Sequence, residues 1–458
     1  MTFSTEGYTS KSSAQSGISA PRPRSFHASG PLSGSVAVPG DKSISHRAII
    51  LASLAIGESQ LTGLLDSADV QATANAMHAM GATIERRGAT WHVHGVGVGG
   101  LLQPLYALDL GNSGTSARLL AGLIATHPIT ATLVGDASLC RRPMDRVMAP
   151  LSLMGAEFTA APGGRLPLTV RGLVPAPALD YRLPLPSAQV KTALLLAALN
   201  TPGITRITEP QISRDHGERL LAAFGANIKI ETDDHGARVI AVRGEGNLIP
   251  QTIAIPGDLS SAAFPLVAAL IVRGSRVMLQ NVGVNPTRTG LVQVLREMGA
   301  DLALSNQRDV CGEPVADVTV AHSPLYGTTI PAELAPIMID EYPILFIAAA
   351  CASGPTTAHG IAELRHKESD RIAAMAAGLR AIGVDVEEGK DSVTIHGNGG
   401  DILRGGATIA TQHDHRVAMA FAVAGLHARE AIEIDDMTCV ETSFPDFEAM
   451  LEQLEGTR

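Results

Sequence analysis

The chain has 458 residues, a length that favours two or three domains with sizeable cores and excludes a small disulfide-stapled module. Its 35 Lys and Arg residues are outnumbered by 45 Asp and Glu residues, and the net charge of −10 argues against nucleic acid or an anionic membrane as a partner. Aromatic residues make up 3% of the chain, so the core is predicted to consist of Ala, Leu, Ile and Val. An anionic ligand must therefore meet a local group of basic residues.

The first 30 residues contain eight serines and no periodic apolar pattern, and we predict that residues 1–30 form a disordered tail. Their acid-poor composition also suits an organellar transit peptide, which stays an open alternative. Elsewhere no segment has the roughly 18 uninterrupted apolar residues of a membrane span, and the four cysteines are far apart without a C-x-x-C pair. The chain is therefore predicted to be a soluble, cytoplasmic protein without a zinc site or disulfide framework.

An internal repeat organises the chain after residue 30. Six times an amphipathic helical pattern ends at a glycine and is followed by alternating residues, with steps of 70 to 84 residues between the glycines. Because glycine adopts the left-handed conformation without a Cβ clash, each one is predicted to end a helix just before a strand. These glycines are Gly81, Gly155, Gly225, Gly299, Gly383 and Gly456.

Each repeat also contains a second helix that is apolar on all sides and is therefore predicted to be buried. Residues of the types that cap helices precede these helices at the same period: Asp41, Asn112, Ser187, Asp258, Asp340 and Asp414. The segments 39–59 and 256–275 are closely similar, both starting with Pro-Gly-Asp. The sequence thus predicts an α/β protein of two similar three-repeat domains, with linkers near residue 41 and residues 250–256.

Cations collect at the predicted N-termini of these helices, where they oppose the helix dipole unless an anion offsets them. They are Lys42, Arg47, Arg142, Arg214, Lys367, Arg371 and Arg416. Together they predict a ligand with several negative charges. The glycine-rich segment 111–118 is typical of a phosphate or carboxylate cradle, but it lacks the G-K-[ST] ending of an ATP- or GTP-binding loop.

Acids within this basic setting are the candidates for proton transfer. They are Asp340, Glu341 and Glu368. Each polar residue at a helix start could also be a simple cap. Glu341 is interpreted as a solvated surface acid. Nearby cations favour the carboxylate form, which suits a base. An acid role for Glu368 therefore requires bound anions that neutralise the cations.

A resemblance to a known family rests on ten segments in this order: PGDKSISHR, GNSGTSAR, RRPM, SAQVK, RDH, NPTRTG, IDEYP, LRHKESDR, DHR and TSFPDF. They resemble the 5-enolpyruvylshikimate-3-phosphate synthases, or 3-phosphoshikimate 1-carboxyvinyltransferases, and particularly the class II bacterial branch. The resemblance implies two domains of three βαβαββ units each, an inside-out α/β barrel with buried helices. It further implies a double crossover, with residues 42–252 in the first domain, 31–41 and 253–458 in the second, and the active site in the cleft between them.

The implied reaction moves the enolpyruvyl group of phosphoenolpyruvate to the 5-hydroxyl of shikimate 3-phosphate, in the shikimate pathway of aromatic amino-acid biosynthesis. No cofactor or metal is implied, and a monomer is expected. Shikimate 3-phosphate would meet Lys42, Ser43, Arg47, Ser187, Ala188, Gln189, Arg214, Asp340 and Lys367. Phosphoenolpyruvate would meet Lys42, Asn112, Gly114, Arg142, Gln189, Arg371 and Arg416. The catalytic residues would be Asp340 as base, Glu368 for protonation at the methylene carbon, and Lys42.

Two positions depart from the class I pattern. Thr442 stands where class I has a lysine, so that phosphate contact must come from elsewhere, and Ala188, often Ser in class I, offers only its backbone N–H. Gly114 leaves room beside phosphoenolpyruvate, so the enzyme is predicted to be a glyphosate target. We expect a Gly114→Ala variant to lose inhibition more than substrate affinity.

Two alternatives remain at this point. The first is the enolpyruvyl transferase acting on UDP-N-acetylglucosamine, whose catalytic cysteine lies six residues before an Arg-Pro proline; here that position is Ala137, and Cys140 is three residues before Pro143. The second is an inactive anion-binding protein of the same fold, against which the presence of Lys42 and Asp340 argues.

Overall fold

Six similar units follow one another along the chain in the computed structural model, which describes residues 20–456. The helices are α1 (Lys42–Leu54), α2 (Ala68–Ala79), α3 (Gly114–Ile124), α4 (Asp145–Leu153), α5 (Ala188–Leu199), α6 (His216–Ala223), α7 (Leu259–Ile271), α8 (Gly290–Glu297), α9 (Tyr342–Ala350), α10 (Arg371–Ala381), α11 (His415–Gly425) and α12 (Phe447–Glu455). Each unit has one odd-numbered, buried helix and one even-numbered helix at its surface.

The strands pair mostly into four-stranded sheets. They are β1 (Arg24–Phe26), β2 (Ser33–Ala37), β3 (Ile56–Thr62), β4 (Thr83–Arg87), β5 (Thr90–Val96), β6 (Leu108–Asp109), β7 (Thr130–Val134), β8 (Glu157–Ala161), β9 (Arg165–Arg171), β10 (Asp180–Arg182), β11 (Ile204–Glu209), β12 (Asn227–Thr232), β13 (Arg238–Arg243), β14 (Thr252–Ala254), β15 (Arg276–Gly283), β16 (Asp301–Val310), β17 (Glu313–Ala321), β18 (Thr329–Ile330), β19 (Ser353–His359), β20 (Asp385–Glu388), β21 (Ser392–Asn398), β22 (Leu403–Gly405), β23 (Thr408–Ile409), β24 (Ala428–Glu430) and β25 (Ile432–Ile434).

The sheets surround two separate cores. The first domain has the orders β14-β3-β5-β4, β6-β7-β9-β8 and β10-β11-β13-β12, and the second has β16-β17-β15-β2, β18-β19-β21-β20 and the smaller sheets β1-β25-β23 and β22-β24. Each four-stranded sheet combines one parallel pair with two antiparallel pairs. Helices α1, α3 and α5 pack inside the first domain, and α7, α9 and α11 inside the second. The predicted fold, two similar domains with buried helices, is confirmed.

The predicted repeat glycines all have a positive φ, between 75° and 109°. Five of them, all except Gly456, are followed within two residues by a strand, as the sequence predicts. Because an L-residue with a Cβ is strained at such a φ, the glycine allows each surface helix to stop and the chain to turn directly into the sheet. Among residues 20–456, no helix combines the length and apolar character needed to cross a membrane.

The chain crosses twice between the domains. Strand β2 precedes the first domain but pairs in parallel with β15 of the second, whereas β14 follows the first domain's last unit and pairs with β3. Two crossover segments, residues 38–41 and 255–258, therefore run side by side. The expected boundary after residue 252 is wrong by a few residues, because Ile253 and Ile255 are buried in the first domain's core.

The predicted tail is also wrong at its C-terminal end. Arg24–Phe26 forms strand β1, which pairs antiparallel with β25, because the backbone of Ile432–Ile434 otherwise presents an open edge. Residues 1–19 lie outside the described residues, so the structure does not test the prediction of a tail or a transit peptide there.

Candidate functional site

A cleft of about 420 Å³ lies between the two domains, next to the crossover segments. It is lined by Lys42, Ser43, Thr115, Arg118, Arg142, Pro143, Arg146, Ser187, Gln189, Val190, Arg214, Asp258, Ser260, Arg288, Asp340, Glu363, His366, Lys367, Glu368, Arg371, His415 and Arg416. Nine of these side chains are Lys or Arg and four are Asp or Glu. A wider, open cavity on the second domain contains none of the predicted site residues.

The helix N-termini supply most of this lining, as the sequence predicts. The side chains that cap α1, α5, α7 and α11 are those of Asp41, Ser187, Asp258 and Asp414. Two predicted cap positions differ: Ser113 caps α3 in place of Asn112, and α9 has no side-chain cap, so Asp340 is not one. Asn112 and Asp340 therefore have their side chains available for other contacts.

Asp340 lies among cations from both domains. Its carboxylate accepts hydrogen bonds from Arg214 of the first domain at 2.5 Å and from Arg371 at 3.3 Å, and Lys367 is 3.4 Å away. Arg416 donates to its backbone carbonyl at 3.1 Å. Burial by itself raises the pKa of Asp340, but Lys367 and the arginines outweigh it and hold the pKa well below its usual value. Asp340 is therefore a carboxylate, the form required of a base.

Glu368 makes a second contact across the cleft. It accepts from Arg371 at 2.6 Å, and its other oxygen is 3.6 Å from Arg142 of the first domain. Burial raises its pKa, but Arg371 and Arg142 lower it further than burial raises it, so the ligand-free side chain is ionised. Burial lowers the pKa of the neighbouring His415 to about 3, which leaves that imidazole neutral at pH 7.

Arg371 connects the two acids. Its side chain is almost fully buried, and it donates to both oxygens of the capping residue Asp414, at 2.8 and 3.3 Å, besides Asp340 and Glu368. A guanidinium held on both sides by carboxylates has a fixed orientation. The positions of Asp340 and Glu368 are therefore set relative to each other.

The first-domain wall holds the remaining predicted cations. Lys42 forms an ion pair with Asp69 and donates to the Thr442 carbonyl of the second domain at 3.5 Å. Arg47 is buried and donates to the Ser43 carbonyl and the Thr192 hydroxyl, both at 2.9 Å. It forms no ion pair among the described residues, and burial lowers its pKa to about 10. A buried guanidinium without a carboxylate partner is a site for an anion.

Four predicted site residues lie behind the wall rather than on it: Arg47, Asn112, Gly114 and Ala188. Three of them contact a residue of the lining, whereas the Ala188 carbonyl accepts from the buried Arg47 and from Thr192. The Asn112 side chain accepts from Arg142 at 2.8 Å, and the Gly114 carbonyl accepts from Arg118 at 3.1 Å. The structure thus brings the predicted set together around one cleft.

The prediction missed Arg118, the last residue of the glycine-rich segment. Its guanidinium donates to Gln189 Oε1 at 3.0 Å and makes no ion pair within the part of the chain that the structure describes. Burial and the nearby Arg142 lower its pKa to about 10. The signal was present, since Arg118 follows Gly114 by four residues and so lies on the same helix face.

Glu341 is also placed wrongly by the sequence interpretation. It is fully buried, where its carboxylate accepts from the Ser260 hydroxyl and lies 3.5 Å from Arg288. The burial of Glu341 could have been predicted from the uniformly apolar helix α9, because the residue directly before a buried helix also lies in the protein interior.

Comparisons with known proteins agree on one family. The model of EPSP synthase (3-phosphoshikimate 1-carboxyvinyltransferase) matches residues 26–451. The 3-phosphoshikimate 1-carboxyvinyltransferase of Novosphingobium aromaticivorans is 60% identical over 94% of this chain and 99% of its own, and that of Zymomonas mobilis is 57% identical over 93% and 94%.

Solved structures point the same way. An EPSP synthase from Acinetobacter baumannii has a TM-score of 0.84 and 43% identity, covering 94% of this chain and 98% of its own. The enolpyruvyl transferase NikO from Streptomyces tendae has a TM-score of 0.73 at 17% identity over 95% and 98%, which shows a shared fold alone. By sequence and by structure, the chain belongs to the EPSP synthase family.

Proposed function

We propose that this cleft transfers the enolpyruvyl group of phosphoenolpyruvate to the 5-hydroxyl of shikimate 3-phosphate and releases inorganic phosphate. One observation carries the proposal: Asp340 and Glu368 of the second domain each contact an arginine of the first domain across a cleft rich in cations. An acid–base pair surrounded by cations suits a reaction between two polyanions.

Shikimate 3-phosphate is assigned mainly to the first-domain wall. Its contacts are Lys42, Ser43, Arg47, Ser187, Ala188, Gln189 and Arg214, with Asp340 and Lys367 facing them. The N-termini of α1 and α5 offer backbone N–H groups to the anion, which is all that Ala188 can donate. The buried guanidinium of Arg47 is assigned to the shikimate carboxylate, and Arg214 to the phosphate.

Phosphoenolpyruvate is assigned to Lys42, Asn112, Gly114, Arg142, Gln189, Arg371 and Arg416. Arg118 joins this group, because its guanidinium lies in the same wall without a carboxylate partner among the described residues. It adds a further cation to a site in which Thr442 stands at the position of the class I lysine.

The chemistry follows from the two carboxylates. Asp340 accepts the proton of the 5-hydroxyl while that oxygen forms a bond to C2 of phosphoenolpyruvate, and Glu368, once protonated, gives its proton to the methylene carbon. The resulting tetrahedral adduct then loses phosphate: the bond between C2 and the phosphate oxygen breaks, Glu368 takes back a proton from the methyl group, and the double bond forms again. The departing phosphate takes up the proton that Asp340 accepted from the 5-hydroxyl. Lys42 and the arginines stabilise the negative charge on the leaving phosphate.

The test is phosphate release by the purified protein, with phosphoenolpyruvate present and shikimate 3-phosphate present or absent, in chelator and without nucleotide. We expect release only when both substrates are present. In an Asp340→Ala variant, turnover should fall by about 100-fold or more while shikimate 3-phosphate still binds. Near-normal turnover in this variant would remove Asp340 from its role.

The same assay separates the alternatives. Release that depends on UDP-N-acetylglucosamine would indicate the other transferase, although Cys140 lies outside the cleft lining and its thiol contacts the Gly135 carbonyl at 3.4 Å. Calorimetric binding of shikimate 3-phosphate without any release would indicate an inactive homologue. A monomeric, cytoplasmic enzyme remains our expectation, to be checked by light scattering and cell fractionation.

A further inference from the structure

The two crossover segments are joined to each other by a symmetrical pair of backbone hydrogen bonds. The Asp41 N–H donates to the Pro256 carbonyl, and the Asp258 N–H donates to the Pro39 carbonyl, both at 2.8 Å. Gly40 lies against Gly257 in the same pairing, with no room for a Cβ at Gly40. Any rotation of one domain against the other must take place about this pair of segments.

Arg288, from the NPTRTG segment, lies at this crossing and is 2% exposed. One terminal nitrogen donates to Asp41 at 3.1 Å, and the other donates to Asp258 at 3.2 Å and to the Ser260 hydroxyl at 2.6 Å. Asp41 caps the first domain's α1, and Asp258 caps the second domain's α7. A single guanidinium therefore holds the starting points of one buried helix from each domain.

The same guanidinium reaches the neighbours of both proposed catalytic groups. Glu341, 3.5 Å from Arg288, is adjacent in sequence to Asp340, and Asp41 is adjacent to Lys42. These two catalytic groups come from different domains, and neither contacts Arg288 directly. Their separation depends on how the crossover segments are held.

We propose that Arg288 is a positioning residue for enolpyruvyl transfer, which fixes the two crossover segments so that Lys42 and Asp340 meet in the cleft at the right separation. The proposal rests on the proposed function. It also explains why arginine is needed, since only its planar fork places two terminal nitrogens on two carboxylates at once, whereas a lysine has one nitrogen.

The balance of charge selects the variant for the test. Arg288 is the cation nearest to three buried carboxylates, those of Asp41, Asp258 and Glu341. Its replacement by a neutral residue leaves buried acids unpaired and endangers folding. Arg288→Lys keeps the positive charge but cannot hold both aspartates.

The experiment compares the unaltered full chain with Arg288→Lys by hydrogen exchange and by steady-state kinetics. We expect faster exchange of the amides in residues 39–45 and 256–262, where Asp41 and Asp258 donate across the crossing. Because shikimate 3-phosphate is assigned mainly to the first domain, its dissociation constant should stay within about threefold, while kcat should fall by about 10- to 100-fold as the catalytic groups lose their alignment.

Val242→Ala is the control for lost stability, since Val242 is fully buried in β13, whose sheet contains neither crossover segment. If the role of Arg288 is only structural, the two variants should behave alike. In both, amide exchange at residues 39–45 and 256–262 and kcat per folded molecule would then equal those of the unaltered protein, and that result would overturn the proposal. If Arg288→Lys does not fold, Glu341→Gln is the second variant, because it replaces the ion pair with Arg288 by a weaker neutral contact. It should lower kcat with shikimate 3-phosphate binding intact, and normal kcat would contradict the proposal. If the unaltered protein releases no phosphate, the proposed function is refuted. The comparison of hydrogen exchange still tests whether Arg288 holds the two crossover segments together.

Discussion

Glu368 illustrates how a bound substrate prepares a side chain for proton transfer. In the ligand-free protein Arg371 and Arg142 keep its pKa low, so the residue carries no proton to donate. When the phosphate and carboxylate of phosphoenolpyruvate occupy these arginines, the positive field is neutralised and the pKa of Glu368 rises toward its usual range. The acid is thus formed only in the complex where it is used.

The pH profiles of kcat and of kcat/KM should therefore differ. Activity that requires protonated Glu368 falls as the pH rises through its pKa, and kcat reports the complex whereas kcat/KM for phosphoenolpyruvate reports the enzyme before this ligand binds. We therefore expect the alkaline limb of kcat to lie at higher pH than that of kcat/KM. Glu368→Gln should lower kcat by about 100-fold or more and remove the limb. Coincident limbs, or a limb that survives in Glu368→Gln, would contradict the assignment.

Gly114 gives a second prediction at the residue scale. A Cβ there would be 2.8 Å from a terminal nitrogen of Arg118 and 3.1 Å from one of Arg142, both flexible ends that can shift. Because both guanidiniums are assigned to phosphoenolpyruvate, Gly114→Ala should raise its KM by about fivefold, equivalent to about 1 kcal/mol, and weaken glyphosate inhibition more. Equal glyphosate inhibition of the unaltered protein and of Gly114→Ala would refute this prediction. Gly246→Ala is the matched control, because a Cβ at Gly246 meets open space.

Helix α5 carries a charged group whose role is structural. The Lys191 ammonium is fully buried one turn after the capping residue Ser187, and it contacts Glu209 at 2.9 and 3.0 Å and Glu218 at 2.9 Å. Glu209 also accepts from the Ser213 N–H at 2.9 Å, next to Arg214 in the cleft. This cluster ties α5 to the loop that carries Arg214.

Removal of the ammonium should therefore destabilise the protein. Lys191→Met leaves Glu209 buried without a cation and Glu218 with Arg238 alone, 3.7 Å away, and breaking a buried pair in this way costs about 3–5 kcal/mol. Urea unfolding measures the loss. Lys229→Met is the control, since Lys229 is exposed and pairs with Glu231 at the surface, and it should change the free energy of unfolding by less than about 0.5 kcal/mol. Similar losses for the two variants would show that the cluster does not support the fold.

At the level of elements, the sequence was informative where the backbone demands one residue type. The repeat glycines mark helix ends because a positive φ excludes most other residues. Helix starts were less certain, since Asn112 and Ser113 are both good caps and only the three-dimensional course of the chain decides between them. The same ambiguity put Asp340 among the caps, although it lies two residues before α9.

The whole molecule shows where local patterns stop being sufficient. The six repeats and the two halves follow from periodic residues, but the pairing of β2 with β15 joins segments more than 200 residues apart, and only the family resemblance implied it. The anion-binding character of the cleft could be predicted from the sequence, because cations at helix N-termini indicate an anionic ligand. Two arginines of the cleft lining were not predicted: Arg118, which lies one turn into α3 on the face of Gly114, and Arg288, which lies two residues before α8 in the NPTRTG segment.

Charge is distributed unevenly over the molecule, and this has a measurable consequence. The chain has a net charge of −10, yet nine cationic and four acidic side chains line the cleft. A cleft of one sign attracts oppositely charged ligands over distances that salt shortens, with a screening length of about 10 Å at 0.1 M. Raising KCl from 0.05 to 0.5 M should therefore lower kcat/KM for both substrates by about tenfold, mainly through KM. Potassium phosphate at equal ionic strength should inhibit more strongly than KCl, because phosphate competes for the same guanidiniums. A decrease in kcat alone, or equal effects of the two salts, would contradict the assignment of the cleft to anionic substrates.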